Sequence, residues 1–118
     1  MKVDFFRHSI PLNTYLNFKK IIKSDIITSG PVGELVEKKL AQYFKVKNVI
    51  LTSSWTSGAI ITLLSLGLKK NDEVIIPSMT FAATANVVEL LGAKPVIVDV
   101  EKDSLLLSFE EIKKKINK

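Results

Sequence analysis

The spacing of apolar positions changes near residue 48, and the change predicts two kinds of structure. Before it, apolar residues recur every three or four positions among polar ones, which is typical of amphipathic helices. This spacing predicts a short helix over 13–23 and a longer one over 32–44, separated by the helix-breaking segment 28–31. We therefore expect residues 1–47 to form an N-terminal helical segment.

Short apolar runs alternate with segments of helical length in the rest of the chain. The runs that predict buried strands lie at 49–51, 74–77 and 95–100. Apolar segments long enough for helices lie between them, at 56–66 and 82–91, and a glycine closes each. A Ser-x-x-Glu capping box at Ser108 opens a last helix. This alternation predicts an α/β fold with a parallel sheet and flanking helices, a βαβαβα unit over 48–118.

The composition excludes several classes of function. The 118 residues are enough for one domain at most. The absence of cysteine excludes disulfides, thiolate metal sites and thiol catalysis. A single histidine, His8, excludes a multi-histidine metal cage. No apolar run reaches the roughly 20 residues that span a membrane, and the N-terminus does not resemble a secretory signal, so we expect a cytoplasmic protein without a membrane partner.

The net charge of +5 has two interpretations. Four lysines lie in the last six residues, at Lys113, Lys114, Lys115 and Lys118. A basic cluster can bind nucleic acid, but no aromatic residues are interleaved with these lysines as a base-stacking surface requires. The pattern favours a solvated helix end, and we expect no nucleic-acid partner.

The segment after the first predicted strand collects hydroxyl groups at the start of a helix. It reads Ser-Ser-Trp-Thr-Ser-Gly over 53–58. The first turn of a helix has unpaired N–H donors and the positive end of the helix dipole, so a phosphate group could bind there. Simple N-capping by Ser54 or Thr56 explains the same residues. The segment is neither a Walker A loop nor a G-x-G-x-x-G fingerprint.

Phe81 follows the second predicted strand and also has two interpretations. Ligands of open α/β sheets bind beyond the carboxyl ends of the strands, where an aromatic ring could cover a planar ligand. Phe81 could equally be a core residue of the following helix. Asp99 lies in the same place relative to the third strand.

Three segments, taken in order and spacing, carry a family resemblance. They are 53–58, 72–86 and 91–100, and the likeness begins near residue 26 and runs almost to the C-terminus. The series resembles the DegT/DnrJ/EryC1/StrS family of pyridoxal-phosphate-dependent sugar aminotransferases, most closely the branch that makes amino sugars for lipopolysaccharide. The resemblance implies the N-terminal part of the large domain of an aspartate-aminotransferase-type fold, with residues 1–118 as a truncated portion of it.

The resemblance also implies a cofactor, pyridoxal 5'-phosphate (PLP), and roles for four residues. Thr56, with the backbone N–H groups of Trp55 and Ser57, would hold the cofactor phosphate, and Phe81 would stack on the pyridine ring. Trp55 departs from the family, which often has glycine or alanine there. A bulky indole could occlude the phosphate loop or point outward.

Two functional groups that the resemblance requires do not match this chain. None of the 16 lysines corresponds to the family's catalytic lysine, and Asp99 lies at the wrong strand end for the acid that binds the pyridine nitrogen. On one hypothesis, the chain is part of a sugar aminotransferase that moves an amino group from a donor such as glutamate to a nucleotide-linked keto sugar. On the other, it is a non-catalytic remnant or self-associating module. We expect weak or no cofactor binding, no turnover by the chain alone, and partners that are further copies or the missing C-terminal portion.

The order of strands in the resembled fold predicts self-association. There, the strand at 49–51 lies at the far edge of the sheet from those at 74–77 and 95–100, and the intervening strands come from later parts of the chain. Unpaired apolar strand edges favour pairing with another chain.

Overall fold

Two helices form the N-terminal part of the chain, as predicted. They are α1 (Thr14–Ile22) and α2 (Pro31–Phe44), in a computed structural model that describes residues 6–11 and 13–116. Pro31 takes the first helical position, where its missing N–H is not needed. Both helices belong to one compact unit, Met1–Leu51, and the second unit is Thr52–Lys118. The division falls four residues beyond the predicted one at 47/48; that the whole chain is part of a larger domain stays a prediction.

The second unit contains a small parallel sheet flanked by helices. Its elements are α3 (Trp55–Ser65), β1 (Glu73–Pro77), α4 (Ala83–Leu90), β2 (Lys94–Val98) and α5 (Phe109–Lys115). β1 and β2 pair in parallel, with Ile75 opposite Val96. Val87 and Val88 of α4 form the core with Ala93, because their apolar side chains lie between the sheet and α3. Residues packed against this cluster are Ala59, Ile60, Leu63, Leu68 and Val74.

Residues 49–51 do not form a strand, so that prediction is wrong for this structure. A strand is stabilised by hydrogen bonds to a neighbouring strand, and no described segment pairs with these residues. Instead, the Leu51 N–H donates to Glu37 Oε1 of α2 at 2.8 Å. The third predicted strand is also shorter than expected, because β2 ends at Val98 and Val100 forms an isolated antiparallel bridge with Leu107.

Gly92 closes α4 in a left-handed conformation, with φ of +76°. Its N–H donates to the Glu89 carbonyl at 2.8 Å, and the Ala93 N–H donates to the Val88 carbonyl at 3.1 Å. These two bonds form a Schellman motif, which satisfies carbonyls at the helix end. Gly67 closes α3 in the same way, with φ of +78°. The predicted glycine C-caps are confirmed.

We expect Gly92→Ala to lower the free energy of unfolding by about 1 kcal/mol, because a Cβ disfavours positive φ. The added Cβ would lie 3.4 Å from Lys70 Cγ, an ordinary contact, so the cost is conformational. Gly33→Ala in α2 is the control, since an added Cβ would have no heavy atom within 4 Å apart from its chain neighbours and the backbone of its own helix, and alanine favours helix. Urea unfolding followed by circular dichroism measures both. A loss at Gly33 equal to that at Gly92 would contradict the prediction.

The lysines near the C-terminus form an exposed helix end. Ser108 caps α5 by accepting the Glu111 N–H. Lys113 Nζ lies 3.3 Å from Glu110 Oε1, and Lys114 Nζ lies 2.6 Å from Glu111 Oε1, a hydrogen bond that raises the pKa of Lys114. Lys118 lies outside the described residues. The absence of a nucleic-acid partner stays a prediction. Across the described ranges, no helix combines the length and apolar character needed to cross a membrane.

Candidate functional site

The start of α3 is held by a network of serine hydroxyls. Ser54 Oγ accepts the Ser57 N–H at 3.1 Å, and the Ser54 carbonyl accepts the Gly58 N–H at 3.1 Å. Ser57 Oγ lies within hydrogen-bond distance of both Ser53 Oγ, at 3.1 Å, and Ser54 Oγ, at 3.0 Å. Ser54 is therefore the N-cap, as one of the two interpretations predicted.

Donors for an anion remain at this helix start beside the cap. The backbone N–H groups of Trp55 and Thr56 and the hydroxyl of Thr56 have no partner within the described part of the chain. They lie in the first turn of an 11-residue helix, at the positive end of its dipole. The Ser57 N–H, predicted as a phosphate ligand, already donates to Ser54. N-capping and anion binding are thus compatible, with Trp55 and Thr56 as the available amides.

Glycine allows the loop before α3 to pack closely against the helix. A Cβ at Gly58 would lie 3.0 Å from Thr52 Oγ1, closer than most side chains tolerate. Thr52 Oγ1 itself donates to the Ser54 carbonyl at 2.9 Å. Trp55 is 60% exposed and borders an apolar groove beside β1. Its side chain is not part of the core.

Phe81 is 83% exposed, so the alternative of a core phenylalanine is wrong for this structure. It lies between the carboxyl end of β1 and the first turn of α4, and its carbonyl accepts the Thr84 N–H at 2.9 Å. Thr80 Oγ1 and Thr84 Oγ1 are 2.8 Å apart and brace the same turn. The exposed ring can lie against a planar ligand.

One contact at the strand ends was not anticipated from the sequence. Ser78 Oγ donates to Asp99 Oδ1 at 3.2 Å, and the same oxygen accepts the Val100 N–H at 2.8 Å. Ser78 begins the loop that leads to Phe81, and Asp99 directly follows β2. The Asp99 carboxylate therefore connects the two strand ends. The only sequence feature that pointed to a role for Asp99 was its position after an apolar run.

The starts of α3 and α4 border one groove. Thr52 and Trp55 line it from one side, and Thr84 from the other. Three lysines of this unit, Lys69, Lys70 and Lys94, lie at the amino ends of the strands, opposite the end that carries Phe81. Among the described residues, no group of three or more histidine, cysteine, aspartate or glutamate side chains could hold a metal ion.

The donor set fits the phosphate of the implied cofactor. A phosphate dianion needs several N–H and O–H donors and a favourable field, and the α3 start provides two amides, a hydroxyl and a helix dipole. No acidic side chain is present in residues 52–58 to repel it. The exposed Phe81 ring provides an apolar face.

Several solved structures are similar to this chain. Spr1654 of Streptococcus pneumoniae, assigned as a sugar aminotransferase and solved in its PLP form, has a TM-score of 0.89 at 26% identity, over 99% of this chain and 30% of its own. A DegT DnrJ EryC1 StrS aminotransferase from Brucella abortus has a TM-score of 0.80 at 36% identity, and the match covers 86% of this chain and 28% of that one. NtdA from Bacillus subtilis, with bound cofactor PMP, has a TM-score of 0.81 at 34% identity, and the match covers 92% of this chain and 26% of that one.

The matches establish the fold and the family. This chain spans about 30% or less of the length of these structures, and its α/β arrangement is a partial fold of the type I class of PLP-dependent aminotransferases. The profile of the DegT/DnrJ/EryC1/StrS aminotransferase family matches residues 12–118. The chain therefore belongs to the DegT/DnrJ/EryC1/StrS aminotransferase family.

Proposed function

We propose that this chain is the N-terminal part of a PLP-dependent sugar aminotransferase and carries the phosphate-binding and ring-stacking part of the cofactor site. The observation that carries the proposal is the start of α3, where the Trp55 and Thr56 amides and the Thr56 hydroxyl are available to an anion. The exposed Phe81 ring and the family match support it. The reaction would move an amino group from a donor such as glutamate to a nucleotide-linked keto sugar in the cytoplasm, for amino-sugar synthesis.

The residues of this chain would bind and orient rather than transfer protons. The Trp55 and Thr56 amides and the Thr56 hydroxyl would donate to the phosphate, which fixes one end of the cofactor. Phe81 would cover one face of the pyridine ring and exclude water from it. Ser78 and Asp99 would position the loop that carries Phe81. The cofactor, when bound, supplies an electron sink for charge that develops at the carbon bearing the amine.

The remaining portion of the enzyme is the partner that this proposal requires. The catalytic lysine and the acid that binds the pyridine nitrogen would come from it. A second candidate function is a non-catalytic, self-associating module, and the extensive apolar surface of α3 favours it. Cofactor binding at Thr56 distinguishes the two, because a module without a cofactor role has no need for it.

We expect the chain to bind PLP in the millimolar range, where the standard binding free energy is about −4 kcal/mol, since only one wall of the site is present. Thr56→Val removes a hydroxyl donor to a charged group and should weaken binding about tenfold or more. Thr62→Val, nearly two turns further along α3, is the matched control and should leave the affinity unchanged. Titration followed by amide NMR shifts at residues 54–58 measures both.

Equal dissociation constants for wild type, Thr56→Val and Thr62→Val would show that Thr56 does not bind the cofactor. The same titration with inorganic phosphate separates the contact of the phosphate group at the start of α3 from the contact of the pyridine ring with Phe81. Phosphate should shift the amides at the start of α3 and leave the Phe81 ring signals in place. PLP should shift both.

A further inference from the structure

The ring of Phe81 is not held by the core, so its direction depends on the backbone that carries it. Phe81 is exposed and is absent from the cluster that forms around Val88. An aromatic side chain of this kind has only two rotatable bonds, so the position of its ring follows closely from the position of its Cα. The contacts that fix the loop 78–81 therefore decide where the ring lies.

The end of this loop that carries Phe81 is fixed to the start of α4. The Phe81 carbonyl accepts the Thr84 N–H at 2.9 Å, and Thr80 Oγ1 lies 2.8 Å from Thr84 Oγ1. Both contacts join residues three or four positions apart, so they form within a single turn. They hold Phe81 on the helix but do not involve the ends of the two strands.

The other end of the loop is fixed to the end of β2 through Ser78. Its N–H donates to the Val98 carbonyl at 2.8 Å, and its Oγ donates to Asp99 Oδ1 at 3.2 Å. The first bond uses the backbone alone, so any residue except proline could form it. The second bond needs a side-chain donor opposite a side-chain acceptor, and it therefore depends on the residue types at both positions.

Asp99 is itself held by the segment that follows β2, so it can act as a fixed point. Asp99 Oδ1 also accepts the Val100 N–H at 2.8 Å, and the Asp99 carbonyl accepts the Ser108 N–H at 3.4 Å. Val100 forms an antiparallel bridge with Leu107, which closes the residues between them into a loop that leads to α5. The Asp99 carboxylate thus connects two loops at the carboxyl end of the sheet, and every partner in this arrangement lies within residues 78–108.

We propose that Asp99 is a positioning residue of the cofactor site, whose carboxylate holds Ser78 and thereby fixes the loop that aims the Phe81 ring. The inference rests on the proposed function and adds to it a residue that acts on the cofactor through another residue. Loss of the carboxylate should weaken the contact with the pyridine ring, because the loop is then fixed firmly at one end only. The phosphate contact at the start of α3 should be unchanged.

Titration of the full chain with pyridoxamine 5'-phosphate (PMP) and with inorganic phosphate, followed by amide NMR shifts, tests this difference. PMP carries the ring and the phosphate but no aldehyde, so it forms no imine with the lysines of the chain. We expect Asp99→Ala to weaken PMP binding about fivefold, since a hydrogen bond to a charged group is lost. Phosphate binding should not change. Asp99→Asn should restore the wild-type affinity for PMP, because its carboxamide oxygen accepts the same two bonds.

Two further variants control the titration. Asp103→Ala is the matched control, because Asp103 lies in the loop after β2 and its carboxylate has no partner among the described residues. Ser78→Ala removes the donor of the same bond, so it tests the proposal even if Asp99→Ala does not fold, which circular dichroism checks. The double variant should bind PMP no more weakly than either single variant. Wild-type affinity for PMP in both single variants, or an equal loss of PMP and phosphate binding, would overturn the proposal.

A measurement on the ligand-free chain separates this proposal from the proposed function. Backbone order parameters from NMR relaxation at residues 79–82 should be about 0.85 in wild type and Asp99→Asn, and should fall to about 0.6 in Asp99→Ala. Wild type that binds no PMP would contradict the proposed function, and the order parameters would still test Asp99. Order parameters that stay at the wild-type value in both Asp99→Ala and Ser78→Ala would overturn the role of Asp99.

Discussion

No turnover above the rate of free PLP is expected when the purified chain is mixed with PLP, glutamate and a nucleotide-linked keto sugar. Transamination needs a base that would take a proton from the carbon bearing the amine and deliver it to a carbon of the cofactor, and the family uses a lysine for this. In the second unit, Lys69, Lys70 and Lys94 lie at the amino ends of the strands, away from Phe81. Lys113 and Lys114 are paired with Glu110 and Glu111.

The assay follows 2-oxoglutarate formation, with a complete aminotransferase of the same family as the positive control. Enzymes accelerate reactions by at least about 10⁶-fold, so an intact catalytic site would be unmistakable. Lys102, in the loop after β2, is the lysine to test if turnover is found. Turnover by wild type that is lost in Lys102→Ala would show that this chain does hold a catalytic lysine, and would contradict the prediction.

The helices and strands that depend on local sequence could be predicted. The run at 49–51 was predicted wrongly, because a strand there depends on a neighbouring strand that is distant in the sequence. Gly67 and Gly92 mark helix ends because a left-handed C-cap is a property of a few consecutive residues. The strands β1 and β2 could be located because each is an apolar run and the pair is joined by α4. The run at 49–51 has the same composition, but a strand also needs a hydrogen-bonded neighbour, and none is described for it.

The candidate site shows the same difference between local and distant contacts. N-capping by Ser54 was one of the two interpretations that the sequence allowed, because a cap involves residues only three positions apart. The exposure of Phe81 could not be read from its type, since phenylalanine is usually buried. The hydrogen bond from Ser78 to Asp99 joins residues 21 positions apart and depends on the parallel pairing of β1 and β2.

Val88→Ala is expected to lower the free energy of unfolding by about 2–3 kcal/mol. Val88 is 1% exposed and is the largest fully buried side chain among the described residues. The substitution loses the transfer free energy of two methyl groups and leaves a cavity in a small core. Its backbone carbonyl still accepts the Ala93 N–H, so the helix cap is retained.

A loss of this size is severe for a unit of 67 residues, whose total stability is roughly 3–10 kcal/mol. Leu90→Ala is the matched control, because Leu90 lies on the same helix, is 72% exposed, and should change stability by less than about 0.5 kcal/mol. Urea unfolding at one fixed protein concentration measures both, since self-association would otherwise shift the midpoints. Equal midpoints for the two variants would show that α4 is not anchored through Val88. Because α4 begins two residues after Phe81, the loss of this anchor should also weaken any cofactor contact that the ring makes.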